Sequence, residues 1–108
     1  MITRIVKLTF KKEHIDTFKS IWSESKARIA AFEGCHFVEM LQSKNPENVC
    51  FTYSLWDDEN ALNKYRHSEL FQMTWARTKI LFDDKPEAWS TVSHGFEGLM
   101  KKENDETS

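Results

Sequence analysis

The feature that most constrains this chain is a hydrophobic period that switches from two to about 3.6 and back, twice over. Residues 2–10 (ITRIVKLTF) alternate, with Ile2, Val6, Leu8 and Phe10 on one face, Arg4 among them, and Thr3, Ile5, Lys7 and Thr9 on the other. That pattern, rich in β-branched residues, predicts a strand with one well-buried face. Over 12–33, Ile15, Phe18, Ile21, Trp22, Ile29 and Phe32 recur at helical spacing opposite a Lys/Glu face. Gly34 stands where a glycine closing that helix belongs. Strands are predicted over 35–43 (CHFVEMLQS) and 49–56 (VCFTYSLW), joined as a hairpin by a polar turn around Pro46. Asp57 or Asp58 caps a second helical region holding Ala61, Leu62 and Tyr65. Ser68 caps a third, with Leu70, Phe71, Trp75 and Ile80, and 83–86 (DDKP) stops it. Residues 88–96 (AWSTVSHGF) alternate once more as a last strand.

The resulting order, β-α-β-β-α-β, is the split βαβ or ferredoxin-like plan, an α+β fold with helices on one face of a four-stranded antiparallel sheet. One domain is expected over 1–97, followed by a polar tail, 98–108, expected to be disordered. The sheet's second face has its own apolar residues. In one register these are Ile5 and Phe37, in another Tyr53 and Val92. A second copy packing sheet to sheet would bury them, so a homodimer through the sheet face is expected.

Composition matters here for what it excludes. The formal charge is −2, with 15 basic and 17 acidic residues, so there is no basic surplus of the kind a nucleic-acid surface needs. No apolar run approaches the ~20 residues of a membrane span. The opening MITRIVKLTF shows no apolar core or small-residue cleavage site of a signal peptide, so the expected location is cytoplasmic. Cys35 and Cys50 are offset by several residues along the predicted hairpin, beyond the ~7 Å reach of a disulfide. No Cys/His spacing matches a zinc site, and no phosphate loop, Rossmann glycines or nucleophile elbow is present. At 108 residues the chain can bury roughly 65% of its extended surface. Four Trp and eight Phe make either the core or a ligand cleft unusually aromatic.

Two stretches carry a family resemblance: Phe32-Glu33-Gly34-Cys35, and LWDDENALNKYRHSELFQMTW over 55–75. With them the chain resembles, over about residues 1–96, the antibiotic-biosynthesis-monooxygenase family of dimeric α/β barrels. The shared residues are mostly structural, so the resemblance speaks more strongly for fold than for activity. It implies a cofactor-independent oxygenase that takes a flat phenol, quinol or anthrone between sheet and helices. No cofactor is then needed, neither flavin nor metal, because the substrate anion itself reduces O₂. The protein supplies a dry aromatic cleft, help with the phenolic proton and donors for developing negative oxygen. The haem-degrading branch of the same superfamily is similar around 56–75, but Trp75 stands at its haem-ligand position and Val6 near its strand-one Asn. That mechanism is therefore disfavoured.

The candidates are Tyr65 and His67 as catalytic residues, with Arg4, Trp56, Phe71 and Trp75 as substrate-binding residues and no metal ligand. Each has a plainer reading beside it. His67 can take a phenolic proton, since its ordinary pKa lies near 6.5, or can simply cap a helix. Tyr65 can donate to a substrate oxygen or sit at the core edge. Trp56, Phe71 and Trp75 can wall a flat ligand or fill core. Arg4 can hold an anion or pair with an acid. His36 and His94 sit among alternating strand residues, and Trp22 reads as helix packing. The expected function is monooxygenation of a small aromatic or quinol-like substrate. The alternatives are a non-catalytic dimeric module binding a hydrophobic metabolite, and a haem-handling protein.

Overall fold

The computed structural model of the chain describes residues 1–98. Strand β1 (Ile2–Thr9) leads through a single 3-10 turn (Lys12–His14) into α1 (Ile15–Ala30). β2 (Cys35–Gln42) and β3 (Val49–Trp56) follow, then α2 (Glu59–Arg66), α3 (Glu69–Lys79) and β4 (Glu87–Thr91). The sheet is antiparallel in the order β2-β3-β1-β4. This is the ferredoxin-like α+β plan. No helix of the described residues is long and apolar enough to cross a membrane.

The hairpin pairs Gln42 with Cys50 and Cys35 with Trp56, so the two cysteines stand far apart along the strands and both are free. A bulge inserts His36 between Cys35 and Phe37. Register then fixes which side chains meet the helices. Arg4 lies between Ser54 and Ser90, Val6 between Thr52 and Ala88, and Leu8 beside Cys50. These residues share the helix face because side chains alternate strictly along a strand.

The core sits at one end of that face. Leu8, Phe10, Phe18, Ile21, Cys50 and Leu81 form its buried cluster, with Trp22, Trp75 and Phe82 packed against it. Phe10 is fully buried, stacked on Phe18 at 4.3 Å and beside Phe82 at 5.3 Å. The backbone locks it there: Lys11 N–H donates to the Leu81 carbonyl at 3.0 Å, and Asp83 N–H to that of Thr9 at 2.8 Å. The end of β1 is thereby tied to the end of α3.

The helix starts follow their sequence signals. Asp58, not Asp57, caps α2 by accepting from Ala61 N–H at 2.9 Å, and Ser68 caps α3 by accepting from Phe71 N–H at 3.1 Å. Three expectations are corrected. The first helix begins at Ile15 and ends at Ala30, so Gly34 belongs to the turn that follows it. Ile80 is exposed while Leu81 is buried, because α3 stops at Lys79 and the helical phase is lost there. β4 ends at Thr91, and 92–98 runs exposed and irregular. Among the described residues that segment has no strand partner to satisfy its backbone, and it carries His94 outside the sheet. The tail, apart from Gly98, lies outside the described residues.

Gly34 has φ +85°, and a Cβ there would sit 2.5 Å from the Ala61 Cβ of α2. Its carbonyl accepts from Asp57 N–H at 2.9 Å, so this turn is pressed against the start of α2. Gly34→Ala therefore combines a left-handed backbone with a collision, and it should cost about 2–4 kcal/mol. Urea unfolding checks this. A midpoint equal to that of the parent chain would refute the tight approach.

Candidate functional site

Between the sheet and the three helices lies a cavity of about 350 Å³. β1 contributes Arg4, Val6 and Leu8 to its floor, and β3 contributes Thr52, Ser54 and Trp56. α2 presents Leu62, Tyr65 and Arg66, spaced i, i+3 and i+4; α3 presents Phe71, Thr74, Trp75 and Thr78, spaced i, i+3, i+4 and i+7. Such spacings form single helical stripes. Phe18 and Trp22 of α1 close the end nearest the core.

Five of the six candidates meet here: Arg4, Trp56, Tyr65, Phe71 and Trp75. Trp56 is 1% exposed, and its indole N–H donates to Ser54 Oγ at 2.9 Å. It thus offers the cavity only its ring. Tyr65 stacks on Trp56 at 4.9 Å and 26°, while Phe71 meets Tyr65 edge-on at 5.2 Å and stacks with Trp75 at 5.8 Å. The Ser68 hydroxyl donates to the Tyr65 carbonyl at 2.6 Å while accepting from Phe71. One side chain thus sets the bend that brings Tyr65 and Phe71 together.

His67 is the exception. It is exposed and does not line the cavity. Its Nδ1–H donates to the Asn63 carbonyl at 2.8 Å, at the end of α2. The helical wheel explains this, because residue 67 falls about 140° from Leu62 at 100° per residue. The same wheel places Arg66 on the Leu62 face. Arg66 is thus the cavity residue that the motif reading passed over and the 3.6 period would have found. His36, at the bulge, contacts the Asp57 carboxylate, and His94 is exposed. Neither lines the cavity. Trp22, read as packing, lines it while also packing on the core.

Electrostatically the cavity favours negative charge. Among the described residues, the ionisable ones that line it are Arg4, Arg66 and Tyr65, with no carboxylate, Lys or His. Burial pushes the Tyr65 hydroxyl well above its ordinary pKa, and the nearby Cys35 sulfur adds to the rise. Tyr65 is therefore a fixed proton donor at neutral pH, not a base. Arg4 Nη1 donates to Ser90 Oγ at 3.0 Å. Its pKa is lowered, first by burial and then by Arg66, with Glu59 opposing.

The antibiotic biosynthesis monooxygenase family model matches residues 1–77, and the chain belongs to that family. No curated protein matches its sequence. Among solved structures it is similar to an antibiotic biosynthesis monooxygenase at 15% identity and TM-score 0.83, covering 88% of this chain and all of that one. It is also similar to a conserved protein of Methanosarcina mazei, at 20% identity and TM-score 0.78, covering 84% and 91%. A third is SnoaB, a cofactor-independent oxygenase from Streptomyces nogalater, at 16% identity and TM-score 0.77, covering 88% and 94%. At these identities the structural likeness establishes the fold.

The Tyr65 shift has a signed consequence for stability. A hydroxyl whose pKa is raised in the fold stays protonated there after the unfolded chain has begun to ionise. Stability is then intact below the ordinary value of 10.0 and falls as pH rises beyond it. The thiols of Cys35 and Cys50, raised from 9.0 by burial, act in the same direction. Urea midpoints should therefore fall above pH 9, and Tyr65→Phe should flatten the part of the fall above pH 10. An equally steep fall in the variant would contradict the burial of that hydroxyl.

Proposed function

We propose that the chain is a cofactor-independent monooxygenase acting on a small aromatic or quinol-like substrate within this cavity. The observation that carries the reading is the pairing of six aromatic walls with proton donors and cations and, among the described residues, no lining carboxylate. Such a cleft holds a flat ring and stabilises its oxyanion. It has no strong base, so it suits a substrate already acidic enough to ionise, such as a quinol or anthrone. Family membership and the shared fold of SnoaB support the same reading.

In this scheme Trp56, Phe71 and Trp75 hold the ring plane. Tyr65 donates to the phenolate oxygen as charge moves, and Arg4 lowers the energy of the anion. For an anthrone, the methylene becomes a carbonyl. Two C–H bonds break, one oxygen atom of O₂ enters the product, and the other leaves as water. All four electrons come from the substrate. His67 takes no part in this scheme and serves the end of α2.

Oxygen uptake by the metal-free protein with quinols and anthrones tests the reading. Uptake above autoxidation, abolished by heating, is expected. Tyr65→Phe should slow it roughly 10²-fold, the usual cost of a lost oxyanion donor, while His67→Ala should leave it unchanged. Undiminished uptake in Tyr65→Phe would remove Tyr65 from the mechanism. Absence of uptake across the panel, with thermal stabilisation by the same compounds, would instead identify a non-catalytic binding module.

The second sheet face supports a homodimer. Phe37, Leu41 and Trp89 are 42%, 47% and 46% exposed and share that face with Ile5, Phe51, Tyr53 and Leu55. Light scattering should give twice the 12.8 kDa of one chain. Leu41→Glu, which places charge on the apolar face, should lower the mass toward a monomer. A monomeric parent chain would refute sheet-to-sheet packing. The two free thiols fit a reducing, cytoplasmic setting.

A further inference from the structure

Ser54 stands on the cavity floor, is 8% exposed, and accepts the Trp56 indole N–H on its Oγ at 2.9 Å. Among the described residues that is the one hydrogen bond this hydroxyl makes. A serine hydroxyl carries a proton of its own besides its two lone pairs, so the donor half of Ser54 meets no acceptor among them. The buried hydroxyls of Ser25 and Thr78 differ. Each donates to the carbonyl four residues back, of Ile21 at 2.7 Å and of Thr74 at 2.8 Å. Buried polar groups are hydrogen-bonded as a rule, and an exception asks for a reason.

The place of Ser54 in the sheet supplies the reason. β3 is an inner strand, bonded to β1 on one side and to β2 on the other, so the neighbouring carbonyls belong to the ladder. Its cross-strand neighbours are Arg4 and Val38. The first is a guanidinium, which only donates, and the second is apolar. The Trp56 indole is likewise a donor only. Because that indole occupies one side of Oγ, the O–H turns away from it, toward the cavity. Donation by the indole also makes the O–H a better donor in turn. A molecule that fills the cavity excludes water from this donor and has to bring the acceptor itself. A neutral hydroxyl suits the carbonyl oxygen of a ketone.

We propose that Ser54 is a specificity-determining residue, its hydroxyl donating to a neutral carbonyl oxygen on the ring that this cavity takes, and that Trp56 is the positioning residue that aims it. The inference rests on the reading of the cavity as an aromatic-substrate site and adds a donor distinct from Tyr65 and Arg4.

Tryptophan-fluorescence titration of the full chain with 1-tetralone and with tetralin, the same ring pair without the ketone, tests the proposal. The quantity read is the ratio of the two dissociation constants, in which losses of packing common to both ligands cancel. Ser54→Ala should shift this ratio against the ketone roughly three- to tenfold, the size of one neutral hydrogen bond, and leave tetralin affinity unchanged. Ser54→Thr, which keeps a hydroxyl, should hold the ratio at the parent value. Trp56→Phe, which keeps a ring but removes the orienting N–H, should shift it in the same direction as Ser54→Ala. An unchanged ratio in Ser54→Ala, an equal loss for both ligands, or no binding of either would overturn the role of Ser54. So would a shift produced by Thr52→Val in its place. An unchanged ratio in Trp56→Phe would overturn the positioning by the indole. Oxygen uptake separates this proposal from the oxygenase reading. Turnover of an anthrone with a ratio indifferent to Ser54→Ala would sink the Ser54 donor alone. A ratio that falls in Ser54→Ala, without turnover of any quinol or anthrone, would keep the donor and sink the oxygenase.

Discussion

One continuous chain of aromatic contacts holds the helices to the sheet. It runs from Phe18 to Phe10, Phe82, Trp75, Phe71, Tyr65 and Trp56, with Phe32 closing on the last two, at centroid separations from 4.3 to 6.4 Å. At one end these rings are the buried core; at the other they are the cavity wall. Aromatic pairs add about 0.5–1.5 kcal/mol each beyond their buried area, so the wall is held by the same contacts that hold the fold. A flat, rigid cleft results without any loop having to close over it.

The two ends of this chain differ in what completes them. Around Phe10 the protein fills its own space, and backbone hydrogen bonds tie β1 to the end of α3. Around Tyr65 the helices stand off the sheet. Thr52, Ser54 and Arg4 replace the large apolar residues that would fill the gap on the floor. Small hydroxyl residues at positions facing inward leave a void that costs stability. A chain selected only for stability would place Leu or Ile there.

Much of this could be read before the structure, because local rules and global fold agree. The alternation over 2–10 fixed the face of β1 that holds Arg4. The apolar spacing of 61–75, with Asp57 or Asp58 and Ser68 as caps, located the two short helices, and the offset of Cys35 from Cys50 followed from the hairpin register. The errors share a different origin. His67 and Arg66 are neighbours in sequence, and chemical reputation favoured the histidine, whereas the helical phase set by Leu62 favoured the arginine. The end of β4 was misplaced because alternation over 92–96 looks like a strand, while a strand exists only where a neighbour receives its hydrogen bonds. The gap between helices and sheet was not legible at all, since its size depends on the bend at Ser68 and on how closely Gly34 lets α2 approach.

Gly34 links these observations. With no side chain it lets the turn after α1 come within contact of Ala61, and so sets the position of α2 relative to β3. Asp58 then starts the helix, and within two turns Leu62, Tyr65 and Arg66 are carried over the floor that Ser54 and Arg4 occupy. A larger residue at 34 would lift α2 outward, separating Tyr65 from Trp56 and Arg66 from Arg4 together. The ring contact that stabilises the fold and the placement of the two cavity arginines are therefore coupled through one backbone approach. A change at Gly34 would register in both stability and the shape of the cavity, although Gly34 lines neither the rings nor the arginines.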